Sequence, residues 1–197
     1  MNDEDTVMPG TEITLGQLEE ELRRVKARRR VFRMLGWVIA LLLVMCALLI
    51  LTSGLFLPVL RIGGDAMTPT LQAGDMVLAH KGTDVSEGEL AAFYYHNSIL
   101  VKRVIGLGGQ RIELDADGNV LVDGMAIPEP YLEQKTLGPC NIALPFTVPG
   151  NSLFVMGDNR AVSVDSRNTA LGCVSAEQLV GKVFFRIWPL SRFGPLS

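Results

Sequence analysis

Three stretches of this chain gather side chains that could move a proton or frame an attack on a carbonyl. The first is Gly63-Gly-Asp-Ala-Met-Thr-Pro-Thr-Leu-Gln-Ala-Gly-Asp75. Gly64 and Pro69 bend its backbone around Ala66 and Met67, and Gly74-Asp75 turns into a following strand. Alone, this segment is compatible with a plain loop. The second is Leu100-Val-Lys-Arg-Val-Ile-Gly-Leu-Gly-Gly109. Strand alternation puts Leu100, Lys102 and Val104 on one face and Val101, Arg103 and Ile105 on the other. An amine set between apolar neighbours loses water, and burial lowers a lysine's pKa until the neutral amine can serve as a base near pH 7. An edge strand with Lys102 turned to solvent is the simpler reading of this segment by itself. The third is Phe154-Val-Met-Gly-Asp-Asn-Arg-Ala-Val-Ser-Val-Asp-Ser-Arg167, followed by Gly172. It packs Asp158, Asn159, Arg160, Ser163, Asp165, Ser166 and Arg167 behind an apolar run. That density marks a hydrogen-bonded polar corner or the wall of a site, with Asp158–Arg160 and Asp165–Arg167 as the expected ion pairs. His80 and His96 lie in no nucleophile context, which speaks against a Ser–His–Asp arrangement. Three scattered cysteines and no clustered ligands imply neither a metal site nor a cofactor.

These segments need a scaffold, and from Pro58 onward the sequence supplies short apolar runs broken by Gly, Asn, Asp and Pro. Met76-Val-Leu-Ala, Leu90-Ala-Ala-Phe-Tyr-Tyr, Ile99-Leu-Val-Lys-Arg-Val-Ile, Arg111-Ile-Glu-Leu, Val120-Leu-Val and Ser152-Leu-Phe-Val-Met predict strands of a mostly β domain. Asp117-Gly118 and Asp123-Gly124 flank Val120-Leu-Val as turns. Ser175-Ala-Glu-Gln-Leu has the spacing of a short capped helix, and Val183-Phe-Phe-Arg-Ile-Trp closes the domain as a strand.

Ahead of this domain the chain changes character. Leu35 to Leu60 contains no Asp, Glu, Lys or Arg. The apolar run from Leu35 to Leu57 reaches the roughly 20 residues a bilayer crossing needs, and it has no polar face. It is longer than the roughly 7–15 residues of a signal-peptide core, and a long charged segment precedes it. A retained anchor over residues 35–57 is therefore expected, between an N-terminal segment 1–34 and a β domain 58–197. Thr14-Leu-Gly-Gln17 opens a short charged helix in that N-terminal segment, or the stretch is simply solvated. Arg23, Arg24, Lys26, Arg28, Arg29, Arg30 and Arg33 all precede the span, whereas Arg61 alone closely follows it. This asymmetry predicts a single-pass protein of the cell membrane with a cytoplasmic N-terminus and the β domain outside. The net charge of −3 argues against a nucleic-acid partner, and the basic cluster suits topology and anionic lipid.

In order and spacing, the three segments resemble those of the type I signal peptidases. That family carries a Ser-Met-x-Pro-Thr loop beyond the membrane, a Lys-Arg-Val-Ile strand and a Gly-Asp-Asn-Arg…Ser-x-Asp-Ser-Arg…Gly segment. The resemblance spans roughly residues 35–189, counting the anchor and the closing Gly181-Lys-…-Trp188-Pro189. It implies a coiled antiparallel β-sheet domain behind a transmembrane helix, and a Ser–Lys endopeptidase that removes signal peptides from exported preproteins after small residues. Its nucleophilic serine falls on Ala66, its general-base lysine on Lys102 and its lysine-orienting serine on Ser163. Asp158, Arg160, Asp165 and Arg167 match site-supporting positions, and Met67 matches the residue after the nucleophile. Gly64 stands where some members place a hydroxyl for the oxyanion, leaving backbone N–H groups as its donors. Partners implied are signal peptides and the lipid bilayer. A self-cleaving repressor with a similar Ser–Lys pair fits poorly, because the chain has an anchor and no DNA-binding segment.

Ala66 departs from the pattern, because a methyl group cannot attack a carbonyl. Either a serine has been replaced to silence the enzyme, or this is a natural relative that binds signal peptides without cutting them. Thr68 and Thr70 would displace the attacking oxygen by several ångströms, which the reaction geometry does not tolerate. Cys46 lies within the apolar span. Cys140 and Cys173 lie in the β domain, where an exported protein can keep a disulfide; a bridge and two free thiols are both open.

Overall fold

A computed structural model describes residues 15–196. Helix α1 (Leu15–Phe56) is continuous, so the charged segment and the apolar span expected as two elements are one. Leu, Glu, Arg and Lys are all good helix formers, and no proline interrupts them. The capping residue read at Thr14 lies outside the described residues. Within α1, Arg28–Ile50 has a mean hydropathy of 2.5 and is long and apolar enough to cross a membrane. Trp37, Leu41 and Leu43 are among its exposed apolar side chains.

The chain from Pro58 onward is β. Its strands are β1 (Val59–Arg61), β2 (Met76–Lys81), β3 (Leu90–Tyr95), β4 (Ser98–Gly106), β5 (Arg111–Leu114) and β6 (Val120–Val122). There follow β7 (Met125–Ala126), β8 (Phe146–Thr147), β9 (Ser152–Met156), β10 (Val174–Ser175), β11 (Leu179–Trp188) and β12 (Gly194–Pro195). Among the described residues they make two antiparallel sheets. The larger runs β1-β2-β11-β3-β4-β9-β10 with β12 against β11, and the smaller runs β7-β6-β5-β8. Each apolar run read as a strand forms one, and the closing strand begins four residues earlier than expected, at Leu179. The expected helix after Ser175 is a single 3-10 turn, Ala176–Gln178, with Ser175 N–H donating to Gln178 Oε1 at 2.8 Å. Asp123-Gly124 is a two-residue turn, with Val122 paired to Met125 across it.

The position of β4 matters most for the site. It lies inside the larger sheet, paired with β3 from Ser98 to Arg103 and with β9 from Arg103 to Gly106. At Lys102 the strand pairs with β3 alone, but the side chain is only 4% exposed, which rules out a lysine turned to solvent. Packing also fixes the loop between β1 and β2. Met67 and Leu71 are buried in a cluster with Ile62, Val77, Ala79 and Leu90. A turn bonds Leu71 N–H to Met67 O at 2.8 Å, while Ile62 and Asp75 close the base of the loop through Ile62 N–H to Asp75 O at 2.8 Å. Burying two large apolar side chains is worth about 1.5–3 kcal/mol each, so residue 66 projects from an anchored turn.

One contact in this sheet admits no side chain. Gly181, on β11, has φ 154°, and a Cβ there would lie 2.0 Å from the backbone oxygen of His80 on β2. The two strands pair at this point, Gly181 opposite Lys81. Gly181→Ala must push them apart, with an expected loss of about 2 kcal/mol or more. Urea unfolding of the detergent-solubilised protein, followed by near-UV circular dichroism, measures the loss.

Candidate active site

Lys102 Nζ donates to Ser163 Oγ at 2.7 Å, and both residues are buried. Ala66 and Lys102 line the same cleft of about 740 Å³, along with Val59, Leu60, Ile99 and Val101. Ala66 O accepts from Asn159 N–H at 3.0 Å, and Asn159 O accepts from Ser163 N–H at 3.0 Å. The loop carrying residue 66 and the segment carrying Ser163 are thus tied through Asn159. Gly157 makes that approach possible: a Cβ there would meet Ser163 Oγ at 2.2 Å and Ala66 O at 2.5 Å. The structure therefore brings Ala66, Lys102 and Ser163 together.

The cleft offers free backbone as well as side chains. Strand β1 ends the larger sheet, and residues 98–102 of β4 pair on one side only, because β9 joins at Arg103. Both stretches line the cleft. Such edges accept an extended peptide through its main chain. Gly64 also lines it, and a side chain there would meet nothing within 4 Å.

Ion pairs hold the polar segment after β9, and one expected pair is corrected. Asp165 binds Arg167 as read: Arg167 Nε lies 2.8 Å from Oδ1 and Nη2 lies 2.7 Å from Oδ2. The Asp158 carboxylate does not pair with the Arg160 guanidinium. It takes a two-pronged contact from Arg103, at 2.9 and 2.7 Å, and the Thr70 hydroxyl at 2.5 Å. Arg160 curls back, donating from Nε to Gly157 O at 3.1 Å, which directs Nη2 to Glu129. Arg103, Glu129 and Thr70 are bonding partners of this segment that the sequence does not announce. Their partners lie 55, 31 and 88 positions away, so no local spacing announces them. Asp75, read only as a turn residue, is 1% exposed and binds Arg186 at 3.1 Å and Arg192 at 2.6 Å. It thereby fastens the residue-66 loop to the end of the sheet.

Charge and burial act on Lys102 in opposite directions. Burial pushes its amine down from 10.5 to about 8; Asp165 and Asp158 pull the other way, and Arg167 adds to the depression. For Asp165, burial favours the neutral acid, but the Arg167 guanidinium, Gly157 N–H and the Ser163 hydroxyl outweigh it and lower its pKa. Arg167 thus takes up part of the negative charge that would otherwise hold a proton on Lys102.

The cysteine question resolves to free thiols at Cys140 and Cys173. Cys173 packs against the core beside Ile105 and Phe154, and burial pushes its thiol up to about 11. Among the described residues no group of His, Cys, Asp and Glu could hold a metal ion.

With this geometry in place, the sequence profile of the signal peptidases, peptidase S26, matches residues 34–188. The chain belongs to that family of peptidases. It is similar to signal peptidase IB of Staphylococcus aureus strain Mu50, at 33% identity over 81% of this chain and 92% of the relative. It is also similar to signal peptidase I of Bacillus caldolyticus, at 37% identity over 66% of this chain and 79% of that one. A crystal structure of a signal peptidase I from Enterococcus faecalis V583 aligns over 50% of this chain and 96% of its own, with 27% identity and a TM-score of 0.41.

Burying Lys102 has a thermodynamic signature independent of catalysis. Its folded-state pKa lies below its unfolded one, so between about pH 8 and 10.5 the unfolded chain binds more protons and stability rises with pH. Lys102→Met removes this dependence. The variant is expected to be more stable than its parent below pH 8, by up to ~3 kcal/mol, with the margin closing as pH climbs to 10.5. Denaturant titrations of both proteins at several pH values check the trend.

Proposed function

We propose that this chain is an inactive form of a membrane-anchored signal peptidase I, in which alanine replaces the nucleophilic serine at residue 66, so that it binds signal peptides without cleaving them. The contact between Lys102 and Ser163 beside Ala66 carries the reading. With serine at 66, the neutral Lys102 amine takes the hydroxyl proton as Oγ attacks the scissile carbonyl. Ser163 orients the amine. Backbone N–H groups, including that of residue 66, receive the oxyanion. The departing amine collects the proton from Lys102, leaving an acyl-enzyme. Lys102 then draws a proton from water, which attacks the ester and frees residue 66. Met67, Asp158, Arg160, Asp165 and Arg167 hold these groups in place.

The two free edges of the cleft support an extended peptide as substrate. The apolar length of α1 supports a single membrane crossing. Seven basic residues ahead of the uncharged run support a cytoplasmic N-terminus and an exterior β domain. A natural binding protein has the same occupied-but-uncut behaviour, and Ala66 favours it as the second reading.

Ala66→Ser is expected to create cleavage of a preprotein in detergent or vesicles, and Ala66→Ser with Lys102→Ala to fall more than about 10³-fold below it. The chain with Ala66 should retain a preprotein uncut. Because the base must be neutral, the rate of the serine variant should rise with pH through a midpoint near 8. A folded but inert serine variant would refute the nucleophile assignment and leave the binding protein.

A further inference from the structure

The loop after β7 contributes no group to the cleft, yet residues 129–137 reach into the polar segment behind it. Glu129 Oε1 binds Arg160 Nη2 and accepts the Tyr131 hydroxyl at 3.1 Å. The Tyr131 ring lies under the Arg103 guanidinium, 3.8 Å from its carbon. Leu137 O accepts from Arg167 Nη1 at 2.5 Å. Arg160 is the hub, bonding Gly157 O through Nε while its own carbonyl accepts from Arg167 Nη2 at 3.1 Å. Gly157 N–H in turn donates to Asp165 at 2.9 Å. The strap therefore grips both ends of the segment in which Ser163 sits.

Stability is a poor explanation for the Glu129–Arg160 pair. Both side chains are at most 1% exposed, and Glu129 Oε2 and Arg160 Nη1 are buried without a hydrogen-bond partner. A buried ion pair left half-satisfied contributes little or costs stability relative to apolar residues of similar volume. Its value must lie in where it puts Arg160.

We propose that Glu129 is a positioning residue: by fixing Arg160 it holds Gly157 and Arg167, and thereby keeps Ser163 against Lys102. The inference rests on the reading of Lys102 as base and Ser163 as its orienting partner. The groups governing Lys102 are Ser163 and Asp165, with Arg167 and Asp158. All belong to the segment the strap grips, so loosening it admits water and disturbs every one of them.

The test takes the Ala66→Ser enzyme as reference and compares Glu129→Gln with the double replacement Glu129→Leu, Arg160→Met. Cleavage of a preprotein, its pH midpoint and thermal unfolding are measured for each. Glu129→Gln should lower both stability and kcat, kcat by about 10- to 100-fold, with KM within about threefold. The double variant should regain the stability of the reference, because apolar groups replace the half-satisfied pair. It should keep the low kcat, and its pH midpoint should move up as water reaches Lys102. Return of kcat along with stability would show that the pair merely supports the fold and would overturn the inference. So would an unchanged kcat in both variants. Direct NMR titration of the Lys102 side chain in the Ala66 chain and its Glu129→Gln variant decides the matter without turnover: an upward shift is expected, and an unmoved Lys102 overturns the inference. An inert Ala66→Ser reference would strike the proposed nucleophile alone.

Discussion

Everything in this molecule answers to the desolvation of one amine. A lysine in water holds its proton far above neutral pH, and only the loss of solvent brings the free base within reach. Lys102 loses solvent where its amine meets the polar segment after β9, bonding the buried Ser163 Oγ at 2.7 Å. Two carboxylates nearby work against that burial. The guanidinium of Arg167 engages Asp165, and that of Arg103 engages Asp158. The buried charges around Lys102 are thus paired with one another as well as with the amine.

The apolar core has a narrower task than its size suggests. Met67 and Leu71 belong to the same cluster as Val77 and Val183, so the loop of residue 66 is held by oil on one side. On the other it is held by Asn159, whose N–H donates to Ala66 O and whose Nδ2 donates to Asp65 O. Asp75, bridged to Arg186 and Arg192, ties the base of that loop to β11 and the residues beyond it. Close-packed interiors deform little, which suits a reaction that depends on ångström placement.

Much of this was legible in the sequence, and the failures have physical causes. The strands declared themselves through apolar runs bounded by turn residues, and the three polar segments singled out in the sequence meet around one cleft. Asp165–Arg167 and Asp158–Arg160 have identical spacing, yet only the first pairs. The difference lies in a bond from Arg160 Nε to the Gly157 carbonyl, which turns one guanidinium away. No spacing rule encodes that. The burial of Lys102 was equally hidden, because alternation along a strand says which residues share a face and nothing about what covers it. Glu129 and Tyr131 looked like ordinary loop residues; their partners are set by how the chain folds back. Cys140 and Cys173 could have been joined in an exported domain, but Cys173 spends its sulfur packing against the core.

Gly157 and residue 66 are neighbours with opposite tolerance to change. The glycine has Ser163 Oγ and the carbonyl of residue 66 crowding the place where any side chain would begin, so drift there is barred. Residue 66 is half-buried at the wall of an open cleft, which borders open space. Under the proposed mechanism, serine and alanine at residue 66 would share one architecture, and activity would turn on a single oxygen atom rather than on the fold.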